Sequence, residues 1–100
     1  MKNKQKALNL LGLAMRARAL TTGSAVVLEA IRSGKAKLVI IASDASQNTR
    51  KQFLNKCEYY KIPYYIHFTQ CDISRAIGKE RMVCAFTDDG FARSFKKLQM

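Results

Sequence analysis

The sequence has no tryptophan, a single proline (Pro63) and only three cysteines. The cysteines, Cys57, Cys71 and Cys84, are odd in number and far apart. They form no Cys-x-x-Cys pair, and the single histidine, His67, does not complete a zinc site with them. Each cysteine stands in an apolar pattern, which predicts reduced thiols in the core of a cytosolic protein. No run of about 18 apolar residues occurs, so the sequence predicts no membrane-spanning helix.

Acidic residues are also scarce. Seven Asp and Glu residues stand against eighteen Lys and Arg residues, which leaves a formal net charge of +11. A surface this positive attracts polyanions and accelerates their encounter with it, so nucleic acid is the favoured class of partner. The composition, with 48% hydrophobic and 25% charged residues, is otherwise ordinary for a folded soluble protein. A length of 100 residues predicts one domain, residues 1–100.

The hydrophobic pattern alternates between helical and strand periods along the whole chain, which predicts an α/β fold with layers of helices on both sides of a sheet. Four helices are predicted at about 4–16, 24–34, 46–60 and 70–78, and a last one follows "DDG" (88–90). Three strands are predicted at "KLVIIA" (37–42), "YYIHF" (64–68) and "MVCAFT" (82–87), with a short fourth at "ALTT" (19–22). The segment "TQCD" (69–72) has the pattern of a capping box.

The sequence contains no recognisable catalytic set. Asp44 follows a predicted buried strand, yet no second carboxylate or histidine stands at a defined spacing from it, so it is interpreted as a loop or cap residue before the third helix. His67 is interpreted as structural, and Asp88 and Asp89 as turn residues. The segment "TGSAVVL" (22–28) matches neither phosphate-binding glycine motif, so neither ATP nor NAD is expected. We therefore predict no enzyme, no cofactor and no metal site.

The start of the second helix is the strongest candidate for a binding site. The first N–H groups of a helix lack partners within the helix, and the helix dipole makes this end partly positive. Gly23 and Ser24 leave room for a phosphate or a base edge to approach the backbone. The alternative is that Ser24 is only an N-cap. Lys35, Lys37 and Arg18 either frame this site or are solvated charges.

Four tyrosines lie close together, at positions 59, 60, 64 and 65. Proteins that bind single-stranded RNA stack bases on such rings. Adjacent residues of a strand point to opposite faces, so at least one of Tyr64 and Tyr65 is expected to pack against a helix. A role in the core or at its rim is expected for most of these rings.

The segments "AIRSGKAKLVIIASDAS", "FLNKCEYYKIPYYIHF" and "ISRAIGKERMVCAFTDDGFA" together resemble the L7Ae/L30e ribosomal protein family, in its bacterial YlxQ-like branch. The resemblance extends from about residue 6 to residue 95. It implies a three-layer α/β/α sandwich with a mixed four-stranded sheet, cytoplasmic location and RNA as the partner, either ribosomal RNA or a kink-turn, which is a sharply bent internal loop. The family contacts RNA through segments that correspond here to residues 23–29 and 78–82.

The match to the kink-turn binders is incomplete. Those proteins carry Gly-x-Asn-Glu-x-x-Lys at the helix start, whereas this sequence keeps only Gly23. Ala25 and Val26 lack the polar groups that read bases, and Glu29 is negative where a cation is expected. Each lost bidentate contact removes roughly 1–3 kcal/mol of discrimination between bases. The resemblance therefore implies RNA binding with altered specificity. The expected RNA-binding residues are Gly23, Ser24, Ala25, Val26, Lys35, Lys37, Gly78, Lys79, Arg81 and, more weakly, Arg18.

Three other interpretations stay open. The chain could be a protein-binding scaffold or ribosome-assembly module that has lost RNA recognition and uses Ala25 and Val26 as an apolar patch. It could be a small enzyme that uses Asp44 or His67. The apolar stripe of residues 2–16 could instead lie on a membrane surface, although a globular core would also bury it.

Overall fold

The structure, a computed structural model, describes residues 4–98. Within this range the helices begin and end close to where the sequence predicts them. The elements in chain order are α1 (Lys4–Arg16), β1 (Leu20–Thr22), α2 (Ser24–Arg32), β2 (Leu38–Ile41), α3 (Gln47–Tyr59), β3 (Tyr64–Tyr65), α4 (Gln70–Ile77), β4 (Val83–Phe86) and α5 (Asp89–Leu98).

The four strands form one mixed sheet in the order β1-β4-β2-β3. Strand β4 pairs antiparallel with both β1 and β2, and the edge strand β3 pairs parallel with β2. The register places Thr22 opposite Cys84 and Ile41 opposite Val83. The end of β1, the end of β2 and the start of β4 therefore lie at the same end of the sheet.

Alternate residues of the central strands enter two separate hydrophobic clusters, which confirms the three layers. Leu38 and Ile40 of β2 pack in one cluster with residues of α1, α4 and α5. Val39 and Ile41 pack in the other with residues of α2 and α3. Because successive side chains of a strand point to opposite faces, the continuous apolar run of β2 is a strand covered on both faces.

Helix α1 packs closely against α4, with Ala7, Leu11 and Ala14 buried. At Gly12 the two helices come so near that an added Cβ would lie 3.0 Å from the carbonyl oxygen of Ala76. The core thus occupies the apolar stripe that the membrane-surface interpretation needed, although Lys2 lies outside the described residues. Among residues 4–98, no helix is both long and apolar enough to cross a membrane.

The capping box of α4 is present as predicted. The Asp72 N–H donates to the Thr69 hydroxyl (3.1 Å), and the Thr69 N–H donates to the Asp72 carboxylate (3.2 Å). Lys4 pairs with the same carboxylate at 3.1 Å. Burial alone would raise the pKa of Asp72, but the hydrogen bonds from Thr69 and Lys4 outweigh it and hold the pKa below its ordinary value.

Two local predictions are wrong. Strand β3 is shorter than the predicted 64–68, because only Tyr64 and Tyr65 pair with β2 before the chain turns towards α4. Cys71 is exposed, because it lies in the first turn of α4 while that helix buries Ile73 and Ile77.

The other two cysteines are buried as predicted. Burial raises the pKa of the Cys84 thiol to about 12. Burial, with a smaller contribution from the neighbouring Glu58 carboxylate, raises the pKa of Cys57 to about 11. Both thiols therefore stay protonated at neutral pH and are poor nucleophiles.

Candidate nucleic-acid interface

Three connections meet at one end of the sheet, which we call the Gly23 end and define as residues 22–26, 42–46 and 78–82. The Gly23 N–H donates to the carbonyl oxygen of Val83 (3.0 Å), so the β1–α2 turn lies against the start of β4. The Ala42 N–H donates to the carbonyl oxygen of Met82 (2.8 Å), which joins the β2–α3 loop to the same place. The structure thus brings together the start of α2 and the loop between α4 and β4, two segments far apart in sequence.

Helix α2 begins without a side-chain cap. Its N-cap is Gly23, with φ 96° and ψ 144°, and no side chain of the described residues bonds to the first-turn N–H groups. Ser24 is the first helical residue, so the interpretation of Ser24 as the N-cap is wrong. The first turn also has no acidic residue. The N–H groups of the first turn are consequently left for solvent or an anionic ligand.

Side chains cap the other helices that start after residue 23. The Ser46 hydroxyl accepts from the Thr49 N–H at the start of α3 (3.2 Å), and Asp88 accepts from the Phe91 N–H at the start of α5 (3.0 Å). At the start of α4, Asp44 accepts from the Gln70 N–H (2.9 Å) in addition to the capping box. Asp44 is therefore a loop residue as predicted, but it caps α4 and not α3.

Arg81 lies directly beside the uncapped helix start. Its Nε is 3.8 Å from the position that a Cβ on Gly23 would occupy. The Arg81 N–H donates to the Ser74 hydroxyl (3.1 Å), and the guanidinium donates to the Glu80 carbonyl oxygen (2.9 Å). The backbone of the loop is thus anchored to α4, and a fixed cation stands next to the positive end of a helix dipole.

An open cavity of about 660 Å³ adjoins this loop. Gly78, which ends α4 in the left-handed conformation (φ 77°), lines it together with Lys79. Arg75 lines the same cavity and also a groove of about 880 Å³ between α1 and α4. The carboxylates of Asp44 and Glu80 are part of the cavity wall as well, so its charge is mixed.

Apolar side chains are exposed at the Gly23 end. Val26 is 55% exposed and Met82 is 36% exposed. Ala25, the second residue of α2, is also exposed. These side chains offer contact to a base face or to an apolar partner. They cannot donate the hydrogen bonds by which a polar pair would read base edges.

The remaining expected residues, Arg18, Lys35 and Lys37, lie at the opposite end of the sheet, which we call the Lys37 end. Lys37 directly precedes β2, and its N–H donates to the carbonyl oxygen of Phe86 at the end of β4 (2.7 Å). At about 3.3 Å per residue, the strand separates Lys37 from the Gly23 end by roughly 17 Å. The expected RNA-binding residues therefore fall into two groups, and the structure does not bring Arg18, Lys35 and Lys37 to the start of α2.

Sequence reasoning missed two basic residues that lie next to the Gly23 end, outside the ranges that define it. Arg75, in the last turn of α4, lines the cavity together with Lys79, which follows the helix after Gly78. Arg50 lies in the first part of α3 and donates to the carbonyl oxygen of Ala45 in the β2–α3 loop (3.2 Å). Only the pairing of β2 with β4 shows that this loop belongs to the site.

The two residues that the enzyme interpretation named, Asp44 and His67, do not belong to a metal-binding group within residues 4–98. No group of three His, Cys, Asp or Glu side chains is placed to hold a metal ion in that range. His67 is exposed, with its ring edge-on to Tyr65 at 5.0 Å. Asp44 is engaged in capping α4, as described above.

Comparisons with known proteins show which family this chain resembles. The sequence pattern of the Ribosomal protein L7Ae/L30e/S12e/Gadd45 family matches residues 5–95. "RNA-binding protein YlxQ" of Enterococcus faecium is 47% identical over 96 residues, covering 96% of this chain and 93% of that protein. The protein of the same name from Bacillus subtilis (strain 168) is 48% identical over 90 residues, covering 89% and 90%. A solved structure of a protein with unknown function from Bacillus halodurans C is 46% identical, with a TM-score of 0.89 over 93% of this chain and 95% of that one.

Proposed function

The chain belongs to the Ribosomal protein L7Ae/L30e/S12e/Gadd45 family, and from this membership we propose that it is a non-enzymatic, cytoplasmic RNA-binding protein. Relatives that are 47% and 48% identical are called RNA-binding proteins. A net charge of +11 supplies the long-range attraction for a polyanion. The chain as a whole, residues 1–100, is proposed to act as a single RNA-binding domain.

The observation that carries the proposal is the uncapped start of α2 beside Arg81. The first-turn N–H groups lack a side-chain cap, and a guanidinium stands 3.8 Å from the Cβ position of Gly23. Phosphate binds well to such a combination of free N–H groups, helix dipole and cation. We infer that Gly23 and Ser24 approach the RNA backbone and that Arg81 and Lys79 contact its phosphates.

The proposed target is a structured RNA, either ribosomal RNA or a bent, kink-turn-like element. Ala25 and Val26 are exposed but apolar, and Glu29 adds an exposed negative charge one turn further along α2. This surface favours recognition of shape and backbone over hydrogen bonds to base edges. Specificity should accordingly differ from that of family members with an Asn-Glu pair at this helix start.

A titration with two RNAs tests the proposal. The protein is titrated against a standard kink-turn RNA and a plain duplex of equal length, at low and at physiological salt. Preference for the kink-turn would support recognition of the bent shape. Equal and steeply salt-dependent binding to both would support a basic RNA binder whose structured target lies elsewhere. No binding to either RNA at low salt would contradict the proposal for these ligands.

A pair of variants tells whether the binding uses the proposed surface. Arg81→Gln removes the cation beside Gly23 and should weaken RNA binding roughly tenfold or more. The slope of log affinity against log salt concentration should become smaller by about one. Arg93→Gln removes an exposed cation from α5, which packs against α1 and β4, and serves as the matched control. Equal effects of the two changes would show that only net charge matters.

The second candidate function is a protein-binding scaffold or assembly module without RNA recognition. The exposure of Val26 and Met82 favours it, because exposed apolar side chains at one end of the molecule are typical of docking surfaces. If RNA fails to bind and Val26→Asp abolishes the capture of a defined protein partner, this function replaces RNA binding.

A further inference from the structure

A group of exposed tyrosines lies at the Lys37 end, away from the start of α2. Tyr59 is 78% exposed, and Tyr60 and Tyr64 are each 40% exposed. These three rings are half of the six large hydrophobic side chains that are exposed among the described residues. We call them, together with Lys61 between them, the tyrosine patch. Large aromatic surface left in solvent at one place is typical of a binding site.

The backbone under the tyrosine patch is held by hydrogen bonds, although its rings are exposed. The Tyr60 N–H donates to the carbonyl oxygen of Lys56 (3.0 Å), and the Ile62 N–H donates to that of Cys57 (2.8 Å), so the end of α3 is closed by hydrogen bonds. Tyr59 and Tyr60 meet edge to face with ring centroids 4.9 Å apart. The rings are therefore presented on an ordered support, and little backbone freedom would be lost on binding.

Lysines stand close to the patch in the chain. The Val39 N–H donates to the carbonyl oxygen of Pro63 (3.0 Å), which places the start of β2, and with it Lys37, beside the turn that carries Lys61. Lys61 is exposed and adopts a positive φ of 57°. The exposed Lys35 lies two residues before Lys37. Acidic residues also lie at this end, Glu58 in the last turn of α3 and Asp88 and Asp89 shortly after β4, but Arg18 and the lysines at positions 35, 37 and 61 outnumber them.

From this combination we propose that the tyrosine patch, with Lys37 and Lys61, binds a single-stranded segment of RNA. Bases stack on exposed aromatic faces whatever their sequence, while nearby lysines neutralise the phosphates. Tyr59 is 78% exposed, and the exposed Lys61 stands two residues after it in the sequence.

The proposal does not rest on RNA binding at the Gly23 end. The two ends lie roughly 17 Å apart along β2, by the rise of a strand. A structured RNA at the start of α2 and a single strand at the tyrosine patch would occupy different surfaces. Each can therefore be lost without the other.

The protein itself carries the probe for the experiment. It has no tryptophan, and all four of its tyrosines lie between residues 59 and 65. Its intrinsic fluorescence therefore comes from this region alone. The full-length protein is titrated with a short single-stranded oligouridine, and tyrosine emission is recorded together with the anisotropy of a labelled oligouridine.

Two substitutions and their controls make the test specific. Tyr59→Ala should weaken oligouridine binding roughly 5- to 100-fold, whereas Tyr59→Phe should preserve it because the stacking face remains. Lys61→Asn should weaken binding and lower its salt dependence, since asparagine tolerates the positive φ and keeps the fold. Lys96→Gln, an exposed position on α5, is the control for loss of one charge.

The expected result is quenching of tyrosine emission on binding, with affinity reduced by Tyr59→Ala and retained by Tyr59→Phe and Arg81→Gln. Unchanged emission with equal affinity of Tyr59→Ala and the unmodified protein would overturn the proposal. The absence of oligouridine binding would also overturn it. So would a loss of binding in Arg81→Gln but not in Tyr59→Ala, because the oligouridine would then bind at the Gly23 end. If sedimentation shows a dimer that Tyr59→Ala dissociates and oligouridine does not affect, the patch is a self-contact and the proposal is wrong.

Discussion

Replacing Gly23 by alanine tests how the β1–α2 turn presents the start of α2. Gly23 has φ 96° and ψ 144°, close to a region of backbone conformation that residues with a Cβ hardly ever adopt. The new Cβ would lie 3.8 Å from Arg81 Nε, an ordinary van der Waals distance, so steric overlap contributes little. The destabilisation therefore comes from the backbone and should be about 1–3 kcal/mol.

That free energy corresponds to a Tm lower by roughly 4–24 °C for a domain of this size. Thermal unfolding by circular dichroism measures it, and urea unfolding with an unchanged m-value would confirm that only stability has changed. Gly34→Ala is the matched control for a positive φ at the other end of α2, where φ is 79° and a Cβ would meet nothing within 4 Å. A Gly23→Ala protein with unchanged Tm and unchanged RNA affinity would refute the reasoning, because the turn would then tolerate a side chain.

Three further predictions concern the rest of the fold. Thr69→Ala removes the cap of α4 and should lower stability by about 1 kcal/mol, measurable as a fall in Tm of several degrees. The folded pKa of Asp72 lies below the 3.8 of an unperturbed aspartate, so its stabilising contribution is present above that pH and is lost as the pH falls through the folded pKa. Unfolding midpoints should therefore drop more steeply with acid in the unmodified protein than in Asp72→Asn, and parallel curves would contradict the ion pairing. A thiol reagent should label Cys71 alone in the native protein and also Cys57 and Cys84 in urea, which mass spectrometry of the digested protein would show.

The sequence predicted most of the helices because their signals are local. The apolar spacing of α1, the Thr69–Asp72 capping box and the glycine at position 78 each act within a few residues, and the structure contains all three. Strand β3 was predicted too long, because its length depends on how far the chain stays paired with β2. That partner lies more than twenty residues away in the sequence.

The candidate site was predictable only in part, for a topological reason. The motif at Gly23 can be read from neighbouring residues, but the pairing of β4 with both β1 and β2 decides what lies beside it. This pairing brings Arg81 to Gly23 and sends Lys37 to the far end of the sheet. The positions of the basic residues in the sequence do not show that Arg81 and Lys37 lie at opposite ends of the sheet. The absence of a side-chain cap on α2 was not predictable from the sequence either. Serine is a common N-cap residue, and only the structure shows that the helix begins at Ser24 itself.

The measurement that tests the central claim most directly is a map of amide chemical shifts during titration with kink-turn RNA. The account predicts that the largest changes occur at the backbone N–H groups of Gly23, Ser24, Ala25 and Val26, with further changes in residues 78–82. In the Arg81→Gln protein, the shift changes at the start of α2 and those in residues 78–82 should both be smaller. Changes confined to other surfaces, with the start of α2 unaffected at saturation, would contradict the claim that this helix start holds the RNA.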